Sequence, residues 1–230
     1  MYRYSGSEWE PISPVLGYAV MDMVVYNGRL YAAVTTGFGG YSGVERVYMY
    51  GGKSWTLVGN GLDRGVLSLA VYNGELYAGT GRGAFRVYKY TPGTSNVGIM
   101  NWTRVVDYPW DGARELFVSR GFLLIGDSLY DRIGLWDGRR FYADMHAGGS
   151  CIYDFAEFGE YVYAVAYAGV LYRFRDGIRW GRFLGYCWGG NMWSLAVYRG
   201  RLFMGYNNGG RGTVLGIRAV CLSLGCLIRF

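Results

Sequence analysis

Five residues at matching positions of a repeated sequence carry the polar side chains with which this chain could do chemistry. Three are acids and two are serines, namely Asp22, Ser68, Glu115, Asp154 and Ser194, and successive members are 46, 47, 39 and 40 residues apart. Carboxylates at one level of a channel could bind Ca²⁺ through their oxygens. A pair of them could also act on a glycosidic bond, one as a general acid with a raised pKa and the other as a base or nucleophile.

The same positions also suit a purely structural role. Short polar side chains accept hydrogen bonds from backbone N–H groups, and structural hydrogen-bond networks collect acids as active sites do. Because serine replaces the acid in two of the five copies, we favour a structural polar position. If the protein is an enzyme, its catalytic set is Asp22, Glu115 and Asp154.

The stretch 67–80, LSLAVYNGELYAGT, shows which element positions these residues. Its apolar residues alternate from Leu67 to Val71, which is typical of a strand. Asn73-Gly74 then predicts a type I′ hairpin turn, because both central residues of that turn need a positive φ. Copies of this hairpin begin at residues 21, 67, 114, 153 and 193.

A second motif follows four of the five hairpins and also opens the chain; in it an aromatic strand, a glycine-containing turn and another aromatic strand succeed one another. Copies or partial copies occupy residues 1–13, 47–59, 87–107, 133–145 and 171–185. Repeats of four short strands at this spacing are typical of β-propellers. The sequence therefore predicts an all-β, five-bladed β-propeller with four-stranded antiparallel blades, forming a single domain over residues 1–230.

The predicted blades span about residues 17–60, 64–108, 112–146, 150–187 and 191–212. The first strand of each blade lines the channel, so the five polar residues would form a ring. The fifth blade lacks an aromatic second half, and we expect residues 1–14 to complete it and to close the ring. The apolar residues 213–230 could instead form its outer strands or make a homo-oligomer contact. Since these 18 residues are interrupted by Arg218, we expect no membrane span.

The paired motifs V-Y-N-G-x-L-Y-A-G and V-Y-x-Y-x-G-x-x-W resemble the kelch-like and galactose-oxidase-like propeller repeats of many prokaryotic proteins. The resemblance covers nearly the whole chain except residues 213–230. It departs from true kelch repeats because the Gly-Gly doublet after the second strand is missing. What the resemblance implies is a fold that serves lectins, glycosidases, oxidases and scaffolds, and therefore no single function.

Aromatic residues at predicted loops or strand starts near one rim form a second candidate site. Exposed aromatic rings stack on sugars or on bases, and nearby arginines would direct such a site towards anionic ligands. The predicted ligand-binding set is Trp110, Trp188, Trp193, Tyr153, Arg182 and Arg199. The alternative for each ring is packing within the fold.

The composition favours a soluble protein from a hot environment. The net charge of +6 comes almost entirely from arginines, since Lys53 and Lys89 are the only lysines, and glutamine is absent. No acid follows Asp176, but the later arginines are spread over several predicted strands and form no run. We therefore do not favour a nucleic-acid partner, although such an anionic partner is the alternative.

The cysteines and the single histidine offer no recognisable metal or catalytic motif. Four cysteines form no CxxC pair, and with His146 the only histidine we expect neither a zinc site nor a Ser-His-Asp triad. We expect no cofactor, with Ca²⁺ in the channel as the alternative. A disulfide between Cys151 and Cys187 stays open. The start of the sequence has no apolar signal-peptide core, which favours a cytoplasmic or virion-associated protein.

These observations favour a non-catalytic recognition or assembly module that binds a protein or glycan partner at the channel-mouth rim. The first alternative is a glycoside hydrolase that uses the channel carboxylates. The second is a structural protein of a thermophilic archaeal cell surface or virion.

Overall fold

The computed structural model describes residues 1–12, 16–35, 46–59, 62, 65–81, 83–93, 101–130, 132–144, 151–175, 181–184, 191–208 and 211–218. These residues form short strands, with one 3₁₀ turn at Tyr167–Gly169 and no α-helix. Neighbouring strands pair in the antiparallel direction, as the alternating hairpin motifs predict. No helix in this part of the chain is long and apolar enough to cross a membrane.

Four sheets have four strands each, ordered along the sheet as they are in the chain. Their strands are β3 (Ala19–Tyr26), β4 (Arg29–Thr35), β5 (Arg46–Tyr50) and β6 (Trp55–Leu57); β7 (Val66–Tyr72), β8 (Glu75–Thr80), β9 (Phe85–Tyr90) and β10 (Trp102–Tyr108); β11 (Ala113–Ser119), β12 (Phe122–Asp127), β13 (Ile133–Trp136) and β14 (Phe141–Asp144); and β15 (Ile152–Phe158), β16 (Tyr161–Ala166), β17 (Val170–Phe174) and β18 (Gly181–Leu184).

Two smaller sheets contain the remaining strands. A three-stranded sheet consists of β19 (Asn191–Tyr198), β20 (Arg201–Asn208) and β21 (Arg211–Arg218), and a two-stranded one of β1 (Tyr2–Tyr4) and β2 (Trp9–Pro11). Residues 213–218 of the apolar tail thus lie in the third strand beside β20, which is one of the two placements expected for them. Residues 219–230 lie outside the described residues, and ring closure by the N-terminal strands stays a prediction.

The chain divides into two compact units, Met1–Val118 and Ser119–Phe230. The core of the first unit packs the sheet of β3–β6 against that of β7–β10. It contains Tyr26, Tyr31, Ala33, Val47, Val58, Val66, Leu69, Leu76, Ala78, Tyr88 and Trp102. The core of the second unit packs the sheet of β15–β18 against β19 and β20. It contains Ala156, Phe158, Tyr163, Val165, Leu171, Met192, Leu195, Leu202 and Met204.

The turns between the first two strands of the five larger sheets have positive backbone φ values, as the hairpin motif predicts. Both central residues have a positive φ in four of the five turns, with Asn73 at 50° and Gly74 at 76° as an example. In the fourth hairpin only Gly159 does, at 60°, while Glu160 does not. That pattern matches a type II′ turn, in which glycine takes the first central position.

The N-terminal hairpin has the local geometry of an outer strand pair. The rings of Tyr4 and Trp9 lie 5.4 Å apart across β1 and β2, as Tyr50 and Trp55 lie 5.1 Å apart across β5 and β6. The tyrosine hydroxyl donates to a turn carbonyl in both places, to Gly6 at 2.6 Å in the first hairpin. The two hairpins therefore share the same aromatic contact and the same turn hydrogen bond.

Candidate functional site

A β-bulge precedes the aligned polar position in four of the sheets. The pairing of the first two strands shifts by one residue between Val20 and Asp22, Val66 and Ser68, Ile152 and Asp154, and Met192 and Ser194. A bulge leaves one residue unpaired and redirects the neighbouring side chains. The bulged residues are Met21, Leu67, Tyr153 and Trp193, so these too are equivalent to one another.

Asp22 uses both carboxylate oxygens to accept backbone hydrogen bonds. Oδ1 accepts from the N–H of Met23 at 2.7 Å, and Oδ2 accepts from the N–H of Leu69 at 2.7 Å. Because Leu69 lies on β7, this side chain ties the first strands of two adjacent sheets together. Burial raises the pKa of Asp22, and the two N–H donors partly oppose that shift.

Asp154 repeats this arrangement in the second unit. Its Oδ1 accepts from the N–H of Phe155 at 2.7 Å, and its Oδ2 accepts from the N–H of Leu195 on β19 at 2.6 Å. Two of the three proposed catalytic acids are therefore engaged as backbone acceptors, as the structural alternative expects. Glu115 is partly buried on β11.

The two serines lie on strands whose next backbone N–H group already donates to an aspartate of the preceding sheet. The N–H that follows Ser68 is bound by Asp22, and the one that follows Ser194 is bound by Asp154. Each serine stands opposite a glycine, Gly79 or Gly205, whereas Asp22 and Asp154 stand opposite Ala33 and Val165. A Cβ on Gly79 would lie 2.7 Å from the Oγ of Ser68. This difference was visible in the sequence, because in these four hairpins a glycine stands opposite each serine and opposite neither aspartate.

The polar positions fall in both units, with Asp22, Ser68 and Glu115 in the first and Asp154 and Ser194 in the second. Their arrangement as one ring around a channel stays a prediction. Within the described ranges, no group of three or more His, Cys, Asp and Glu side chains is placed to hold a metal ion.

Trp110 is buried, and the expectation that it is exposed is wrong. It is 6% exposed, and its ring packs edge-on against Phe85 at 4.9 Å and Tyr108 at 5.1 Å. Its carbonyl also accepts a hydrogen bond from the N–H of Phe85 at 3.1 Å. Trp110 therefore belongs to the packing around β9 and β10 in this structure.

Tyr153 and Trp193 form an aromatic pair on the first strands of adjacent sheets. Their ring centroids lie 4.4 Å apart with an interplanar angle of 43°, and Trp193 is 44% exposed. Both are bulged residues, so the bulge is what turns these two rings towards each other. Their equivalents in the first unit, Met21 and Leu67, are aliphatic.

Arg199 lies at the other end of the strand from Trp193. It occupies the β19–β20 turn, where its guanidinium lies 5.1 Å from the ring centroid of Tyr198. Six residues of strand separate it from Trp193, which corresponds to about 20 Å. The predicted grouping of this arginine with the rim aromatics is therefore wrong. Trp188, Cys187, His146 and the side chain of Arg182 lie outside the described residues.

Sequence reasoning missed Tyr167 and Asn191, which lie at the same end of the sheets as the aromatic pair. Tyr167, in the 3₁₀ turn, is exposed, and its N–H donates to the carbonyl of Cys151 at 3.0 Å. Ala168 has a φ of 61°, and its N–H donates to Oδ1 of Asn191 at 3.2 Å. The turn interrupts the strand pattern and leaves no periodic signal, so only the structure identifies these neighbours.

No family model and no curated protein matches this chain. Among solved structures, the chain is similar to the WD40 β-propeller domain of Doa1, with 15% identity, a TM-score of 0.61 and coverage of 91% of this chain and 67% of that one. The fold is that of a β-propeller. YCF48 bound to D1 peptide is similar to this propeller too, with 16% identity, a TM-score of 0.61 and coverage of 92% and 68%.

The extracellular domain of BT4673 from B. thetaiotaomicron gives a TM-score of 0.68 at 15% identity. The alignment covers 93% of this propeller but only 29% of that chain, so this protein spans less than a third of its length. At these identities the similarity establishes the fold alone. The neighbours support a propeller without supporting the kelch-like or galactose-oxidase-like type.

Proposed function

We propose that this propeller is a non-catalytic recognition module that binds a protein or glycan partner at the end of the sheets carrying Tyr153 and Trp193. The observation that carries the proposal is the exposed ring of Trp193 beside the half-buried ring of Tyr153, with ring centroids 4.4 Å apart on adjacent sheets. Large apolar rings are expensive to expose and are the residues that most often anchor binding partners. Trp193 has an exposed ring at a position where Leu67, its equivalent, is buried.

The backbone hydrogen bonds accepted by Asp22 and Asp154 favour a recognition function over hydrolysis. A glycosidase needs one carboxyl free to protonate the leaving group and another free to act as base or nucleophile. Each carboxylate oxygen of Asp22 and Asp154 instead accepts a backbone hydrogen bond of 2.6–2.7 Å.

The closed five-bladed ring, the kelch-like repeat type and a thermophilic source belong to this proposal. Five copies of the inner hairpin support the blade count. The first sheet also presents an apolar face suited to contact with a further sheet, because Met23 is 52% exposed while its equivalent Leu69 is 4% exposed. Deletion of residues 1–12 tests closure, since a blade that needs the N-terminal strands should lose stability steeply without them.

A binding array tests the proposed function. Immobilised neutral and acidic oligosaccharides and 15-residue peptides of mixed sequence should include ligands that the wild-type protein retains and Trp193→Ala does not. Tyr198→Ala is the matched control, because Tyr198 is also an exposed aromatic residue and lies at the opposite end of β19. Equal retention by all three proteins would refute the role of this surface.

A further inference from the structure

We propose that the surface around the Tyr153–Trp193 pair binds a neutral saccharide, a narrower claim that rests on the proposed recognition function. This aromatic surface consists of Tyr153, Trp193, Tyr167 and Asn191, all in the second unit. Three observations carry the proposal: the partly exposed rings, the low charge of the described residues beside them, and an anchored side-chain amide.

The rings offer the face that a sugar needs. A pyranose presents several C–H groups on one side, and these carry a small positive charge that favours the negative face of an aromatic ring. Trp193 is partly exposed beside Tyr153, and Tyr167 adds a second exposed ring on the adjoining turn. The hydroxyl groups around the edge of the sugar then need hydrogen-bond partners.

Asn191 can supply such a partner. Its Oδ1 accepts from the N–H of Ala168 at 3.2 Å, which fixes the orientation of the amide and leaves the two Nδ2 hydrogens as donors. Asn191 begins β19, two residues before Trp193, so the Cα atoms of these two residues lie about 7 Å apart along the strand.

The described residues at this end of the sheets carry little charge. Cys151–Tyr153, Ala166–Gly169 and Asn191–Trp193 contain no Asp, Glu, Lys or Arg. Arg211 begins β21 opposite Asn208 at this end, whereas the arginines in the turns between first and second strands lie at the opposite end. Arg120 illustrates this, because its guanidinium donates to the carbonyls of Arg175 at 2.6 Å and Glu160 at 2.7 Å there. A neutral ligand therefore suits this end better than a sulfated or uronic-acid polymer.

Calorimetric titration of the full chain tests the ligand class. The probes are four neutral oligosaccharides (cellohexaose, xylohexaose, mannohexaose and laminarihexaose), the anionic polymer chondroitin sulfate and the peptide decaproline. We expect at least one neutral probe to bind, and Trp193→Ala to weaken it by about tenfold to a hundredfold. Asn191→Asp keeps the acceptor for Ala168 and removes the two donors, and it should weaken the same probe by about fivefold to tenfold. Tyr198→Ala should leave its affinity unchanged.

The outcomes separate this inference from the function on which it rests. If decaproline or chondroitin sulfate binds through Trp193 and no neutral sugar does, the saccharide inference is overturned while the recognition function stands. A neutral sugar that binds equally well to wild type and Trp193→Ala overturns the inference as well. If no probe and no array ligand depends on Trp193, both fail.

Discussion

The carboxylate of Asp22 and the backbone N–H of Leu69, 47 residues apart in the chain, are joined by a hydrogen bond of 2.7 Å. Asp154 and Leu195 repeat the contact over 41 residues at 2.6 Å. In both cases an aspartate on the first strand of one sheet accepts a hydrogen bond from a backbone N–H on the first strand of the next sheet. That next strand carries a serine instead of an aspartate at the aligned position. The residues that could most readily do chemistry therefore hold adjacent sheets together.

Removal of this contact should destabilise the fold. Asp22→Ala leaves the buried N–H of Leu69 without its acceptor and should lower the free energy of unfolding by about 2–4 kcal/mol. Asp107→Ala is the control, because Asp107 is half-exposed and forms ion pairs with Arg86 and Arg104 at the surface. It should change stability by less than about 1 kcal/mol. Denaturant unfolding of both variants measures the difference, and equal effects would contradict the role of Asp22.

The pH dependence of stability should differ in sign between Asp22 and Asp137. Burial raises the pKa of Asp22 above 3.8, so its contribution is fully present below that value and is lost as the pH rises through the folded pKa. Backbone N–H groups of Arg140 and Arg139 lower the pKa of Asp137. Its contribution is present above 3.8 and is lost as the pH falls through the folded pKa.

Carbon-detected NMR titration of the two carboxyl groups measures these shifts directly. Unfolding of Asp22→Asn and Asp137→Asn between about pH 2 and pH 6 should change the pH slope in opposite directions. A pKa for Asp22 at or below that of Asp137 would contradict the burial that the structure assigns to it.

Gly79 should not tolerate a methyl group. A Cβ there would lie 2.5 Å from the carbonyl oxygen of Ala113 and 2.7 Å from the Oγ of Ser68. Gly79→Ala should therefore destabilise the protein by about 1–3 kcal/mol. Gly212→Ala is the matched control, since nothing lies within 4 Å of its Cβ position. Thermal melts compare the two, and an unchanged melting temperature for Gly79→Ala would show that the sheets are not packed this closely.

Trp102 and Trp9 hold equivalent positions in the second motif and should differ in importance. Trp102 is 1% exposed and its Nε1 donates to the carbonyl of Val58 at 3.0 Å, whereas Trp9 is 67% exposed. Trp102→Ala should cost about 3–5 kcal/mol of stability. Trp9→Ala should cost less than about 1 kcal/mol unless the N-terminal hairpin is covered by another sheet. The denaturation midpoints distinguish these results.

Local patterns predicted the elements well because their causes lie within a few residues. Asn73-Gly74 sets the turn by its own backbone preference, and the alternation from Leu67 sets the strand. The burial of Trp110 could not be read in this way, because Phe85, the ring that covers it, is 25 positions earlier and is aligned with it only through the pairing of β9 and β10. The acceptor role of Asp22 likewise depends on a strand in the next sheet.

Other features of the site were within reach of the sequence. Trp193 and Arg199 are six residues apart on one predicted strand, so their separation followed from strand geometry alone. Tyr153 and Trp193 also occupy the same position of the repeat, which indicates that they face a common end of their sheets. The anchoring of Asn191 by Ala168 had no such signal, because it depends on a left-handed residue in a turn.

The most direct test of recognition against catalysis follows the fate of any oligosaccharide that the array retains. Its affinity and its chain length after incubation are measured with wild type, Trp193→Ala and Glu115→Gln. We predict that the ligand is recovered intact from all three, that Trp193→Ala loses affinity and that Glu115→Gln does not. Cleavage by the wild-type protein that Glu115→Gln abolishes would contradict the account and identify a glycoside hydrolase.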